Sequence, residues 1–258
     1  MAELLLGIDV GTGSCKCCLL GRDGKVAGQA VQEYSPALPQ PGWVEQGPAD
    51  WFEAAVSCLR QMEASTGLHA REVSAVGVTG QMRGPTFLDG AGNPVRPSIL
   101  WNDQRCHREV AELKAGYAEP LRRITHNPLN AMCTLPKLLW VKRHEPETWL
   151  KTATVLYPKD YVSFRLTGQR ATDLSDASGS SLYDLERQAW SDEILRDWDL
   201  PREKLPDIVP STVVVGTVSR RAAQETGLAQ GLPVAAGSSD ATAEMLALGI
   251  ENERRCKV

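Results

Sequence analysis

A chain of 258 residues, 42% hydrophobic and 23% charged, can bury the core of one large globular domain or two small ones. Its net charge of -4, with Lys and Arg scattered rather than striped, argues against nucleic acid and anionic membrane surfaces as partners and leaves small neutral ligands open. No run reaches the roughly 20 apolar residues of a membrane span, and the N-terminal MAELLLGIDV lacks the basic n-region and small-residue cleavage site of a secretory signal, which points to the cytoplasm.

Three strands are predicted first, over 4–10, 15–20 and 26–33. The short turns between them, Gly11-Thr12-Gly13 and Arg22-Asp23-Gly24, make an antiparallel meander. A Pro-rich loop over 35–48 follows, and Pro48 and Asp50 then open an amphipathic helix with Trp51, Ala55, Leu59 and Met62 on one side. Next come the apolar segment 73–80, a loop GQMRG, and short strands at PTFLD and PSILW. Helical patterns follow at 103–115 and 135–144, the first with Asn102 or Asp103 as its expected N-cap. The remainder holds VLYPKDYVSFRLTG, the Ser/Asp-rich TDLSDASGSS, a helix near 191–198, the connector LPDIVPS and LPVAAGSSDATAEMLALGI.

A meander that passes into alternating helices and strands predicts an α/β or α+β domain with a mixed sheet. Seven cysteines, an odd number at irregular positions (15, 17, 18, 58, 106, 133 and 256), argue against a disulfide framework. Cys15, Cys17 and Cys18 have no histidine or second pair at finger spacing, so they are expected to pack as small hydrophobes.

Ligands on such sheets sit where loops leave strand ends. Three loops qualify by composition: 9–14, 79–84 and 235–242. In the first, glycines and the hydroxyls of Thr12 and Ser14 offer the donors of an anion nest, and Asp9 at the strand end suits Mg²⁺. An ordinary glycine turn beside a solvated acid has the same composition. In the last, Asp240 reads by default as the N-cap of a following helix, and a carboxylate there also suits accepting the proton of an attacking hydroxyl.

GIDVGTGSCKCCLL, PGWVEQGPADW, VGVTGQMRG, LWNDQRC, LPKLLWVKRHEPE, LYPKDYVSFRLTG, TDLSDASGS and AGSSDATAEMLALG, in this order, span nearly the whole chain. Through them the sequence resembles the FGGY family of carbohydrate kinases, most closely its xylulokinase branch. The resemblance implies a ribonuclease H-like, actin-like ATPase α/β domain, a mixed sheet with helices on both faces, and ATP-dependent phosphorylation of a sugar hydroxyl, D-xylulose first. It implies that Asp240 is the catalytic base and that Asp9 organises Mg²⁺. Gly11, Thr12, Gly13 and Lys16 would serve ATP phosphate, and Gln81, Met82, Arg83, Trp101 and Asp103, with Asp240, the sugar. Trp43 and Glu45 are expected to anchor the long loop.

Two positions depart from the branch, Arg83 where it has His and Ala241 where it has Asn. Arginine is longer, always charged and without an acceptor, so another ketose or a polyol remains a candidate substrate. Family members are about twice this length, so residues 1–258 are expected to be the N-terminal, sugar-binding domain, with the C-terminal nucleotide-binding domain outside this chain and the fragment inactive alone. The expected partners are a sugar and ATP, with a homodimer left open. A sugar sensor without catalysis and an actin-like ATPase of another kind are the competing readings.

Overall fold

The computed structural model describes residues 4–250. In chain order the strands are β1 (Leu4–Val10), β2 (Ser14–Gly21), β3 (Val26–Glu33), β4 (Glu45–Gln46), β5 (Val73–Gly80), β6 (Thr86–Leu88), β7 (Ser98–Ile99), β8 (Thr154–Leu156), β9 (Ala171–Asp173), β10 (Tyr183–Asp184), β11 (Ala189–Trp190), β12 (Asp207–Val209), β13 (Val214–Thr217), β14 (Pro233–Ala235) and β15 (Ser238–Ser239). The α-helices are α1 (Pro48–Thr66), α2 (His107–Gly116), α3 (Ala118–Thr125), α4 (Thr134–His144), α5 (Pro146–Lys151), α6 (Pro158–Thr167), α7 (Leu174–Ser178), α8 (Asp192–Asp197), α9 (Arg220–Thr226) and α10 (Asp240–Ala247).

The predicted meander forms: β1 pairs antiparallel with β2, and β2 with β3. β5 then lies parallel to β1 and gives the sheet its mixed character. The main sheet runs β13-β14-β5-β1-β2-β3, with β15 also on β5. Alternation along β1 sends Leu4, Leu6, Ile8 and Val10 into the core and leaves Leu5, Gly7 and Asp9 on the other face.

Helix α1 covers the core face. Pro48 occupies its first turn, where a missing N–H costs nothing, and Gly67 ends it at φ 71°, where a side chain would be strained. Trp51, Phe52, Ala55, Leu59 and Met62 bury against β1 and β2 with Cys15 and Cys17, and Tyr161, Val162 and Leu166 of α6 join the same cluster. Burying each large side chain contributes on the order of 1.5–3 kcal/mol.

Cys15 and Cys17 are fully buried with Cys58 in this apolar layer, as expected, whereas Cys18 points to the other face of β2 and is only partly buried, and Cys256 lies outside the described residues. A second core gathers α2, α4, α8 and the β6–β8 pair around Phe87, Leu113, Leu138 and Val155. The opposite face of the main sheet opens into a cleft of about 520 Å³ lined by Asp9, Lys16, Cys18, Thr79, Gly237 and Ser238.

Helix α2 begins at His107, not at the expected 103, because Asp103 is occupied in a buried ion pair and Cys106 takes the cap position. Asp240 likewise is the first residue of α10 rather than its cap, which is Ser239.

Two strands pair in succession along the same edge of β5. β14 pairs at Val234↔Val76 and β15 at Ser238↔Thr79 and Ser239↔Gly80. The chain between them turns at Gly237, whose φ is 71° and whose Cβ, if present, would lie 1.7 Å from Val78 O. Gly237→Ala is therefore expected to cost about 3 kcal/mol and to lower Tm by roughly 6–12 °C, read by thermal unfolding.

Candidate functional site

The loop between β1 and β2 is held from behind. Gly11 N–H donates to Ser14 O at 3.0 Å, which closes the turn. Tyr34 OH donates to Gly11 O at 2.7 Å and Gln46 Nε2 to Thr12 O at 2.6 Å. Both loop carbonyls are thus turned into the protein. No protein acceptor among the described residues takes the N–H groups of Thr12 and Gly13, the arrangement an anion nest requires.

Gln81 proves to be part of this scaffold. It is 2% exposed; its Oε1 accepts from Thr12 Oγ1 at 3.2 Å, and its Nε2 donates to Gly11 O at 3.3 Å and to Gln46 Oε1 at 3.0 Å. With its amide occupied this way, it shapes the loop rather than facing a sugar. Gln46, which the sequence reading passed over, links that amide to Trp51 Nε1 at 2.9 Å and so ties the loop to α1. Its one sequence signal was its place in PGWVEQGP. Trp101 Nε1 donates to Thr12 Oγ1 at 3.0 Å and brings the LWND turn to the same loop.

Asp9, at the end of β1, sits between Lys16 and Thr79 in the register. Its Oδ1 is buried without a hydrogen-bond partner. Burial raises its pKa, exposed Lys16 opposes that, and the charges of Asp240 and Glu244 raise it further. Asp240 is also raised, chiefly by burial, against a stabilising bond from Ala241 N–H to its Oδ1 at 2.8 Å and with Glu244 adding repulsion. Glu244 is one helical turn after Asp240 and was legible as an i, i+4 acid. An orphaned carboxylate oxygen and a second acid in electrostatic contact suit a divalent cation that takes one or two carboxylates beside phosphate and water.

The loop after β5 carries Met82 and Arg83. Arg83 holds φ 64°, a strained value for a side-chain-bearing residue, and Thr134 Oγ1 donates to its carbonyl at 3.1 Å. Its Nε is buried without a partner. No carboxylate of the described residues forms an ion pair with it. Met82 and Arg83 both pack over Gly179, where a Cβ would stand 3.1 Å and 3.2 Å from their side chains.

Asp103, expected in the pocket wall, is 0% exposed. Its carboxylate accepts from Val44 N–H at 2.6 Å and from Arg105 N–H, Nε and Nη2 at 2.8–2.9 Å, so no oxygen is left for a sugar. Beside it, Asn102 keeps a buried oxygen without a hydrogen-bond partner. Trp43 and Glu45 anchor the long loop as expected: Arg105 stacks 3.9 Å from the Trp43 ring and pairs with Glu45 at 2.7 Å.

Comparison with known proteins identifies the family and the fold. Residues 4–247 match the model of the FGGY family of carbohydrate kinases, N-terminal domain. The xylulose kinase of Escherichia coli strain K12 is 38% identical over 247 residues, covering 96% of this chain and 50% of that protein. The crystal structure of xylulose kinase from Rhodospirillum rubrum superposes with a TM-score of 0.92 at 33% identity, over 97% of this chain and 51% of that one. That of gluconate kinase from Lactobacillus acidophilus gives 0.87 at 26% identity, over 93% and 48%. The chain spans about half the length of these relatives. Among the described residues no helix is long and apolar enough to cross a membrane. With the mixed sheet, the glycine loop and the acids at neighbouring strand ends all accounted for, the chain belongs to the FGGY family of carbohydrate kinases.

Proposed function

We propose that the protein carrying this chain transfers the γ-phosphoryl group of ATP to a hydroxyl of a pentulose, with D-xylulose as the first candidate, in the cytoplasm. The observation that carries this reading is the electrostatic contact of Asp9 and Asp240, which leave the sheet on either side of the end of β5, each with a pKa raised by burial. Asp240 accepts the proton of the attacking hydroxyl. The Thr12 and Gly13 N–H groups receive phosphate oxygens, and Lys16, across the strand from Asp9, adds positive charge at the cleft. Asp9 is the residue that would hold Mg²⁺, which when bound supplies charge neutralisation for the phosphates. Met82, Arg83, Trp101 and Asn102 orient the acceptor. The adenine side of ATP belongs to a C-terminal half of the kind the relatives' length implies.

Asp240→Asn in a kinase that carries both halves is expected to lower kcat by about 10²–10⁴-fold with sugar KM nearly unchanged. Wild-type turnover in that variant would remove Asp240 from the role of base. A base works only when deprotonated, and the Asp240 pKa is raised above 3.8, so kcat/KM should climb with pH along an acid limb lying above that value.

Asp9 offers a separate check, in stability. Its raised pKa means that the fold disfavours the ionised form, a penalty absent at low pH that grows as pH rises through the folded value. Asp9→Asn should raise Tm by about 2 °C at neutral pH and by nothing near pH 3, while abolishing Mg²⁺-dependent turnover. An unchanged Tm together with full activity would remove Asp9 from the site.

A second acceptor class is favoured by one observation. Arg83 carries an uncompensated charge with a buried, unpartnered Nε, and a carboxylate on the substrate would satisfy it. ADP release measured with D-xylulose, other ketoses, polyols and aldonic acids distinguishes the two. Preference for an aldonate that is lost in Arg83→His would establish the second reading, and preference for D-xylulose retained in Arg83→His would exclude it.

A further inference from the structure

Behind Asp240 lies a buried set of charges that none of the steps above uses. Lys159 is 0% exposed, and Asp160, Asp173 and Asp176 are 0–2% exposed. Lys159 Nζ lies 2.5 Å from Asp160 Oδ1, 3.0 Å from Asp173 Oδ1 and 3.4 Å from Asp176 Oδ2, and within 3.5 Å of Ala236 O. Three acids facing one ammonium cannot all ionise at low cost in a dry interior.

The asymmetry among them is structural. Asp176 has both oxygens buried without a hydrogen-bond partner and Asp160 has one, and burial raises both acids, Asp176 the more strongly. Asp173 is also buried, but Lys159 and the donors of Ser175 and Ser211 outweigh that and hold its pKa below the ordinary value. Its Oδ2 accepts from Ser175 Oγ at 2.7 Å, Ser175 N–H at 2.9 Å and Ser211 Oγ at 2.8 Å. Asp173, held by three donors and 3.0 Å from Lys159 Nζ, is therefore the acid that stays ionised in this set, while Lys159 gives its hydrogen bond to Asp160 Oδ1.

Ser175 passes this on. A hydroxyl has one proton, and here it goes to Asp173, so the oxygen lone pairs are free to accept. Ser239 N–H donates to that oxygen at 2.8 Å. Ser239 is buried, precedes Asp240 directly and is paired with Gly80 of β5 on its other side. Its hydroxyl donates to Thr242 Oγ1 at 2.9 Å within the first turn of α10.

We propose that Lys159, Asp173 and Ser175 are positioning residues for Asp240: the buried ion pair orients the Ser175 hydroxyl, which clamps the Ser239 peptide and so sets the direction in which the Asp240 carboxylate leaves the sheet. This rests on the reading of Asp240 as base. Proton abstraction tolerates little error in placement, and a displacement of about 1 Å costs on the order of 100-fold in rate. A charge-assisted hydrogen bond is stiffer than a neutral one, which gives the relay a reason to end on an ion pair rather than on a neutral acceptor.

Ser175→Ala tests it, because the change removes the acceptor of Ser239 N–H and leaves the ion pair in place. Lys159→Met is the less useful variant, since three buried acids without their cation threaten folding itself. In a kinase that carries both halves, Ser175→Ala is expected to lower kcat about 10- to 100-fold with sugar KM within about two-fold, and to lower Tm by only a few degrees, the cost of one buried N–H left without an acceptor. Hydrogen exchange at the Ser239 amide should accelerate by about ten-fold or more. Ser175→Thr, which keeps the hydroxyl, should restore both kcat and protection.

Wild-type kcat and an unaltered Ser239 amide in Ser175→Ala would overturn the proposal. So would a loss of kcat that merely follows a fall in Tm and is not recovered by threonine. Asp240→Asn assayed alongside separates the two levels. If that variant turns over normally the base reading fails, and the positioning proposal fails with it whatever the Ser239 amide shows. If it is inactive while Ser175→Ala is normal, only the relay is wrong.

Discussion

Gly80 stands between the two strands that deliver the acids. Val10 of β1 is its partner on one side and Ser239 of β15 on the other, both parallel, so β1 and β15 end at the same height and their last residues reach the same edge of the sheet. A Cβ on Gly80 would lie 2.7 Å from Val10 O, and one on Gly237 would lie 1.7 Å from Val78 O. Only glycine allows this approach. Asp9 and Asp240 are far apart in sequence, and this three-strand junction is what brings them into electrostatic contact. The glycine loop after β1, the loop after β5 and α10 all start within one or two residues of it.

The loop between β1 and β2 depends on the junction in turn. Gln81 follows Gly80, and its backbone N–H donates to Val10 O at 2.9 Å, which sets its side chain beside Gly11 and Thr12. Gln46 closes the arrangement from the long loop, and Trp51 connects it to the helix that fills the core. Loop, sheet and core are therefore one hydrogen-bonded unit. A glutamine suits both crossing points because one side chain must donate and accept at once.

Much of this could be read from the sequence, for identifiable reasons. The meander, α1 and the three glycine-containing loops at strand ends follow from strong local signals: an apolar run of strand length in β1, proline at the start and glycine at the end of α1, and glycine next to acid or hydroxyl at strand ends. Asp103 misled because WND reads locally as a helix cap or a pocket residue. Its fate is decided by Arg105, Glu45 and Val44, partners that only the tertiary fold brings near. Gln46 and Ser175 were missed for the same reason, since a glutamine in a Pro-rich loop or a serine in a Ser/Asp-rich stretch shows nothing of a partner more than 30 residues away. The face of the sheet left open to the cleft was equally hidden, because β1 and β2 carry apolar residues toward both sides.

Charge is distributed unevenly across the finished site. Asp9, Asp240 and Glu244 crowd one end, with exposed Lys16 as the cation that acts on Asp9. At the other end Arg83 has no ion-pair partner among the described residues, and buried Lys137, its pKa pulled down to about 8 mainly by burial and also by Arg83, donates to the carbonyls of Ala131, Met132 and Cys133. Each end by itself is a cost to folding, since like charges repel and buried polar atoms lack partners. Each is also a ready complement: a cation with phosphates for the acids, an acceptor-rich molecule for the arginine. Binding would then relieve what folding leaves unsatisfied, and the residues that stabilise the ligand most would be those whose removal stabilises the empty fold.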